Sequence, residues 1–248
     1  MKSLLQVTGL QLQRSPNYCL TVPKLKVQGG SLLCITGPNG CGKTSLLECL
    51  VGLLVPQEGS IILNGRLVSK NLRSTKASFG YAPDTEDWFI KELCAREYFS
   101  LLERVYRDAG VTTNMQARVQ ELAGQLLFTA FLQPLGSLSH GNKKKVQIIA
   151  ALMHCPPVII VDEIRNGLDP LAILAVEDLL QAELKRGAAL IAATHDLWWA
   201  QRLSDQTLLL IDGSVAAYRK TLDLIDTHGS LEQFFVRAVK KRASCPST

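Results

Sequence analysis

The sequence lacks any long apolar run. No apolar stretch approaches the ~18 residues that a membrane-spanning helix needs. The first residues, Met1–Thr8, are interrupted by polar side chains too early for a secretory signal. We therefore expect neither a membrane span nor a signal peptide in these 248 residues. If the protein works at a membrane, another chain must hold it there.

The sequence also lacks a cysteine framework. Its seven cysteines are an odd number, none forms a C-x-x-C pair, and several fall in strongly apolar runs. Disulfide scaffolds and zinc sites both rely on close, regular cysteine spacing. The pattern instead indicates reduced, buried thiols, which are typical of a cytosolic protein. Internal repeats and low-complexity segments are absent as well.

Positively charged residues are only in small excess, and the formal net charge is +5. The basic residues cluster at Lys143–Lys145 and Lys240–Arg242. Such runs are typical of solvated helix faces, and binding to nucleic acid or to acidic lipid headgroups is the alternative. Nearly half of the residues are apolar, which is enough to bury a sizeable core in one domain or in one domain with a lobe.

What the sequence does contain is a phosphate-binding loop, Gly37–Thr44, between an apolar strand at Leu32–Ile35 and an apolar helix. It matches the pattern G-x-x-x-x-G-K-[ST] in the required strand–loop–helix context. Glycines let the backbone wrap closely around phosphates, and the helix adds its free N–H groups and the positive end of its dipole. The lysine, Lys43, is expected to reach the β- and γ-phosphates, and Thr44 to bind Mg²⁺.

A second apolar strand, Val158–Val161, ends in the acids Asp162 and Glu163. Carboxylates at the carboxyl end of a buried parallel strand lie in the ligand crevice of an α/β sheet. Asp162 is placed to hold Mg²⁺, and Glu163 to accept a proton from the attacking water.

Between these motifs the pattern changes to helical. Apolar residues recur at helical spacing over residues 91–128, and a third helix follows from about Asn142 to His154. Ser139 precedes that helix and can cap it, leaving N–H groups free for an anion. Strand and helix alternate again from Val158, which predicts a parallel sheet covered on both faces. The residues from Leu222 read as one or two helices ending in a basic, frayed terminus.

Six motifs in this order resemble the ATP-binding cassette (ABC) ATPase family over nearly the whole chain, and in particular bacterial exporter-type cassettes whose permeases are separate chains. The six are Walker A at Gly37–Thr44, the turn Phe79–Asp84, the signature Leu138–Asn142, Walker B at Val158–Glu163, the D-loop Asn166–Pro170 and the switch histidine His195.

The resemblance implies an α/β fold: a P-loop NTPase core with a parallel sheet plus antiparallel strands, and an inserted α-helical subdomain. The expected division is a RecA-like core with a β subdomain over residues 1–82 and 155–220, a helical signature lobe over 83–154 and a helical tail over 221–248.

The resemblance also implies a site for ATP and Mg²⁺. Two cassettes would pack head to tail, as a homodimer or a heterodimer, with each ATP between the Walker motifs of one and the signature of the other. The catalytic residues would be Glu163 and His195, Asp169 would belong to the D-loop, and Thr44, Asp162 and Asp84 would hold the metal. The ATP-binding residues would be Gly37, Pro38, Asn39, Gly40, Cys41, Gly42, Lys43, Thr44 and Ser45. The signature residues acting in trans would be Ser139, His140, Gly141 and Asn142.

Several positions depart from the family pattern. His140 replaces a glycine and Asn142 a glutamine of the usual signature, and Asp84 stands where glutamine is typical. Asp84 adds a negative charge beside a triphosphate. For stacking on adenine, Tyr18 and Arg14 are both candidates.

We predict an ATP-hydrolysing subunit of an ABC transporter, peripheral on the cytoplasmic face of the membrane and docked on a separate permease. In this family a groove between the core and the helical lobe receives a helix of the permease. Trp88, Phe89 and Tyr98 are expected either to line that groove or to form the core of the lobe. The alternatives are a soluble ABC ATPase acting on nucleic acid or ribosomes and a degenerate cassette that binds ATP without turnover. Soluble ABC ATPases usually carry tandem cassettes, long insertions or zinc cysteines, which this sequence lacks, so we expect no nucleic-acid partner.

Overall fold

A computed structural model describes residues 3–16, 18–68, 73–87 and 89–243. The described residues form two compact units. The first unit comprises those within 1–70 and 189–248, and the second comprises those within 71–188. In these described ranges, no helix is both long enough and apolar enough to cross a bilayer.

Strands and helices alternate along most of the chain. The strands are β1 (Ser3–Ser15), β2 (Tyr18–Gln28), β3 (Leu32–Thr36), β4 (Glu58–Leu63), β5 (Arg66–Leu67), β6 (Phe79–Ala82), β7 (Val158–Asp162), β8 (Ala189–Ala193), β9 (Gln206–Ile211) and β10 (Ser214–Lys220). The helices are α1 (Lys43–Leu50), α2 (Arg73–Lys76), α3 (Ala95–Asp108), α4 (Met115–Gln125), α5 (His140–Leu152), α6 (Pro170–Lys185), α7 (Leu197–Leu203), α8 (Thr221–His228) and α9 (Leu231–Ala243).

The first unit is built on a mixed sheet in the order β5-β4-β1-β2-β10-β9-β3-β8. Strand β3 pairs in parallel with β8 on one side and with β9 on the other. The pairs β1–β2, β1–β4 and β4–β5 are antiparallel, and β2 also meets β10 in parallel. Every residue of β3 and β8 is buried, as expected for parallel strands that are covered on both faces. Helix α1 contacts β8, and α7 contacts β3.

The second unit combines the parallel pair β6 and β7 with helices α2 to α6. A cluster of aromatic rings fills the space beside α3. Phe89 is 8% exposed and meets Tyr98 edge to face, with ring centroids 5.6 Å apart. Phe99 and Phe131 continue this cluster at 6.4 Å. Phe89 therefore belongs to the core of this unit, while Trp88 lies outside the described residues.

The α/β class with parallel and antiparallel strands and a helical insertion is confirmed. The helix predicted from Asn142 begins at His140, and the C-terminal segment forms two helices, α8 and α9. The predicted frayed end falls largely on residues 244–248, outside the described residues. The sequence pattern missed β5 and α2, which are only two and four residues long. The predicted core, lobe and tail boundaries stay predictions.

His154 is a buried imidazole in the second unit. Its side chain is stacked on Tyr106 with ring centroids 3.9 Å apart, and its Nε2 lies 3.0 Å from the carbonyl oxygen of Phe79. Burial disfavours the charged form and lowers the pKa of His154 to about 4. The folded protein therefore holds this imidazole neutral at pH values where an unfolded chain would protonate it.

We expect the stability of the protein to fall as the pH is lowered from 6.5 towards 4, because the unfolded state then binds a proton that the folded state refuses. Between about pH 7.5 and about pH 5 this single group should lower the free energy of unfolding by about 2 kcal/mol. Urea unfolding across this range measures it. His154→Phe keeps the aromatic stack and should remove that part of the pH dependence, and an unchanged profile in this variant would contradict the assignment.

Candidate functional site

The loop between β3 and α1 has the backbone geometry of an anion cradle. Gly42 caps α1 with a left-handed φ of 102°. A Cβ atom at Gly42 would lie 2.2 Å from the hydroxyl of Tyr18, and one at Gly37 would lie 2.2 Å from the carbonyl oxygen of Leu210. Gly37 therefore needs glycine because a side chain would collide with backbone, and Gly42 needs it because its left-handed φ disfavours any residue with a Cβ atom.

Lys43 is the first residue of α1 and lies across this loop. Its Nζ donates to the carbonyl oxygens of Gly37 at 2.9 Å and Pro38 at 3.4 Å. Thr44 and Ser45 follow in the first helical turn, whose N–H groups carry the positive end of the helix dipole. A cation and free N–H groups converge here, which is the arrangement that binds phosphate.

Two side chains support the loop: Cys41 from within it and Tyr18 from β2. Cys41 is 4% exposed, and burial raises the pKa of its thiol, so it is a packing residue with little thiolate. Burial also raises the pKa of Tyr18, whose hydroxyl is buried against Gly42 without a hydrogen-bond partner in the described part of the chain. Adenine stacking by Tyr18 or by Arg14 stays a prediction.

His195 lies at the same edge of the sheet as the phosphate-binding loop. Strands β3 and β8 are parallel with Ile35 opposite Ala193, and the N–H of Thr194 donates to the carbonyl oxygen of Ile35 at 3.1 Å. His195 follows directly and is exposed. The next residue, Asp196, caps α7 by accepting from the N–H of Trp199 at 2.8 Å. The backbone on both sides of His195 is thus fixed.

The acidic pair of the second unit lies where β7 ends. Asp162 is 2% exposed as the last residue of a fully buried strand. Glu163 follows with a φ of 44°, a left-handed conformation that is uncommon for a residue with a side chain. Such backbone strain costs about 1–3 kcal/mol and concentrates at functional sites, where the surrounding structure holds it.

The signature residues form the first turn of α5. Ser139 is the N-cap, and its hydroxyl accepts from the N–H of Asn142 at 3.3 Å, which confirms the predicted cap. Gly141 lies against the D-loop of the same chain, since a Cβ atom there would be 2.9 Å from the carbonyl oxygen of Gly167. The signature and the D-loop are therefore in direct backbone contact.

His140, the signature departure, is held by Glu86. Its Nδ1 lies 2.5 Å from one carboxylate oxygen of Glu86, and Lys143 donates to the other at 2.8 Å. Partial burial acts to raise the pKa of Glu86, but these two hydrogen bonds outweigh it and hold the pKa below its usual range. The opposite edge of the His140 ring lies against Gly167, which leaves no room there for a Cβ atom.

Asp84 and Asp169 are both engaged by the chain itself. The side chain of Asp169 caps α6 by accepting from the N–H of Ala172 at 2.9 Å. The amide of Asn166, in the D-loop, donates to Asp84 at 3.1 Å. The D-loop thus contacts Asp84 as well as the signature.

The sequence pattern predicted that Lys143–Lys145 form a solvated helix face, and for Lys144 this prediction is wrong. Its side chain is 2% exposed. Its Nζ donates to the carbonyl oxygens of Pro83 at 3.1 Å and Asp162 at 3.2 Å. Burial lowers the pKa of Lys144, although the nearby carboxylates, led by Asp84, oppose this shift. Lys143 is also mostly covered, because it is bound to Glu86.

The sequence-predicted residues fall into two groups. The first unit brings the loop Gly37–Ser45 and His195 to one sheet edge. The second unit brings Asp84, the signature Ser139–Asn142 and the D-loop into contact through direct bonds. Lys144 and Glu86 were missed. Lys144 shares a helix face with the buried Gln147, Ile148 and Ala151, and this spacing was the signal that could have revealed it.

The chain belongs to the ABC transporter family, whose sequence pattern matches residues 20–166. It is similar to the ABC-type transporter ATP-binding protein EcsA of Bacillus subtilis, at 29% identity over 97% of this chain and 98% of that protein. It is also similar to the lipopolysaccharide export system ATP-binding protein LptB of Acidithiobacillus ferridurans, at 27% identity over 91% and 94%. A solved structure of an ATP-binding subunit of an ABC transporter superposes with a TM-score of 0.87 at 27% identity, covering 96% of this chain and 100% of that one.

Members of this family are ATPases, so the chain is a nucleotide-binding ATPase cassette of an ABC transporter. The expected class of protein, an ABC transporter ATP-binding cassette, is confirmed.

We expect Gly167→Ala to push the His140 ring away from Glu86. The control Gly110→Ala has a similar left-handed φ but open space around the new Cβ atom, so it measures backbone strain alone, about 1 kcal/mol. Gly167→Ala should lower the free energy of unfolding by about 1–2 kcal/mol more, through the lost hydrogen bond. In a His140→Gly background this excess should disappear, and an excess that persists there would contradict the contact. Urea unfolding of the four variants provides the measurement.

Proposed function

We propose that this cassette binds ATP with Mg²⁺, dimerises through the bound nucleotide and powers transport through a separate membrane permease. One observation carries the proposal: Glu163 is held in a strained left-handed conformation directly after the buried Asp162. Together they place two carboxylates at the carboxyl end of a buried parallel strand, where α/β sheets bind their ligands.

The phosphate-binding residues of the first unit are those of the loop Gly37–Ser45. Backbone N–H groups and the Lys43 ammonium offset the phosphate charge. Lys43 now bonds to carbonyl oxygens of its own loop, and it exchanges these partners for phosphate oxygens when nucleotide binds. Because its ammonium is already in place over the loop, little rearrangement is needed.

The metal ligands in this proposal are Thr44 and Asp162, with Asp84 as the third. All three present oxygen donors, the ligand type that Mg²⁺ prefers. The burial of Asp162 at the end of β7 fits a carboxylate that is held for a cation. When bound, the ion neutralises charge on the β- and γ-phosphates.

Glu163 acts as the base that takes a proton from the attacking water, and His195 positions that water and the γ-phosphate. The fixed backbone around His195, bonded to β3 on one side and capping α7 on the other, suits a positioning role. The protein does little covalent chemistry in such a reaction, which proceeds by orientation and charge stabilisation.

The dimer contacts come from Ser139, His140, Gly141 and Asn142, which meet the ATP of a second cassette. Ser139 uses a lone pair to cap α5, so its hydroxyl proton can still be donated to a phosphate. Asp169 lies at the D-loop, next to this surface. ATP binds the closed dimer better than the open one, and this differential affinity drives the motion.

The membrane partner is a separate permease, and the cassette binds it from the cytoplasmic face. The similarity to EcsA, a transporter ATP-binding protein, and to LptB, an export-system ATP-binding protein, supports a transporter role. The second unit also carries a cavity of about 780 Å³ that can receive an amphipathic helix of the permease. Its lining combines apolar side chains such as Phe99, Val119 and Phe131 with polar ones such as Arg96, Glu103 and Gln116.

We expect Glu163→Gln to lower the rate of ATP hydrolysis at least about 100-fold while ATP still binds, because only the general base is removed. Steady-state phosphate release and binding of a fluorescent ATP analogue measure the two effects. Glu92→Gln removes an exposed carboxylate from the same unit and should leave both unchanged. A Glu163→Gln variant that hydrolyses ATP at the wild-type rate would refute the assignment.

The Glu163→Gln protein should also retain its partner. With ATP, an affinity-tagged form should recover a polytopic membrane protein at defined stoichiometry from detergent-solubilised native membranes, since the closed dimer persists when hydrolysis is blocked. Recovery of ribosomes, nucleic acid or soluble proteins alone would contradict the transporter role and favour a soluble ATPase.

A further inference from the structure

Lys144 is a buried charge that the motif-based description of the site leaves unexplained. Its side chain is 2% exposed, and a lysine is rarely so deeply buried unless it is paired. An ammonium group has three protons to donate. In Lys144 two of them go to the carbonyl oxygens of Pro83 and Asp162, and Asp84 lies 3.9 Å away on the remaining side.

These partners come from the ends of two neighbouring strands. Strands β6 and β7 are parallel, with Ala82 opposite Val161. Pro83 and Asp162 are the next residues of each strand and therefore lie side by side. The Lys144 ammonium bridges the two backbones at the point where both strands reach the acidic end of the sheet.

The positive charge of Lys144 complements the negative charge of Asp84, a residue at which this chain departs from the family pattern. The family pattern has an uncharged glutamine there, and this chain has a half-exposed carboxylate at the end of the sheet that also carries Asp162 and Glu163. All three carboxylates favour the charged form of Lys144, and Asp84 does so most strongly. Lys144 supplies a cation from the buried side, and the Asn166 amide donates to the same oxygen of Asp84 at 3.1 Å.

We propose that Lys144 is a positioning residue for ATP hydrolysis: it neutralises Asp84 and ties the segment that carries Asp84 to the end of β7, so that Asp84 and Asp162 keep a fixed arrangement. This inference rests on the proposed function of Asp162 and Asp84. Lys144 acts through the carboxylate of Asp84 and the backbone of Asp162, and it touches neither the nucleotide nor the reacting water. Asp84 and Lys144 are a coupled pair, in which each residue is harmful without the other.

A double-mutant cycle with Asp84→Gln and Lys144→Gln tests the coupling. Lys144→Gln should lower kcat for ATP hydrolysis at least about tenfold and leave the KM for ATP within about threefold, because the phosphates bind the loop of the first unit. Asp84→Gln should also lower kcat. The double variant restores charge balance and should recover to within about fivefold of wild type. Lys145→Gln, which removes a charge from the next residue, should leave kcat unchanged.

Single-variant losses that simply multiply in the double variant would overturn the proposal. A large rise in KM with unchanged kcat for Lys144→Gln would overturn it too, since that result places the residue in nucleotide binding.

A second cycle, measured without nucleotide and in EDTA, does not depend on activity. The melting temperature should fall in Lys144→Gln, and adding Asp84→Gln should restore part of the loss. If the wild-type protein hydrolyses no ATP, the proposed function fails, and this cycle alone decides the coupling: partial restoration supports it and additive losses overturn it.

If Lys144→Gln does not fold, a single-site comparison replaces the cycle. Asp84→Asn should lower the melting temperature more than Asp87→Asn, which removes an equally exposed carboxylate of the same segment whose partner is the Thr85 hydroxyl and not a buried lysine. Equal shifts in these two variants would overturn the pairing.

Discussion

The parallel register between β3 and β8 is the constraint on which the first unit depends. With Ile35 opposite Ala193, the residues that follow each strand must emerge at the same edge. The phosphate-binding loop follows one strand and His195 follows the other, so sheet hydrogen bonds decide which side chains share that edge. The hydrogen bond from the N–H of Thr194 to the carbonyl oxygen of Ile35 holds this register at the site end of the two strands.

In the second unit the organising interactions are ion pairs and hydrogen bonds between the start of α5 and the segment after β6, with Lys144 as their buried member. The first turns of α5 present Ser139, His140, Lys143 and Lys144, and three of these reach back to the segment 83–86. Glu86 binds His140 and Lys143, and Lys144 binds two carbonyl oxygens. Two of the family departures, Asp84 and His140, therefore belong to the polar contacts that tie the signature helix to the residues after β6. In such networks the benefit comes from satisfying every member, because an unpaired buried charge is expensive.

The fold and most of the site followed from patterns that local physics enforces. A loop such as Gly37–Thr44 admits few side chains, and an apolar strand that ends in Asp162 leaves little choice of architecture. What could not be predicted depended on partners distant in sequence. Lys144 looked solvated because it sits in a run of three lysines, and only the packing of α5 against β6 shows that it is buried. The strain at Glu163 arises from its backbone angle φ, which cannot be read from the residue type. Glu86 gave no signal, because its partners, His140 and Lys143, lie more than fifty residues away in the sequence.

The contact between His140 and Gly167 has a consequence for how this sequence can change over time. A methyl group at position 167 and an imidazole at position 140 claim the same space. A lineage that carries both His140 and Gly167 can reach alanine at 167 without disturbance only after 140 has become small. The two positions should therefore co-vary: related sequences that have histidine at position 140 should have glycine at position 167. A mutation at one of these positions would then be harmless in one homologue and damaging in another, depending on which residue occupies the other position.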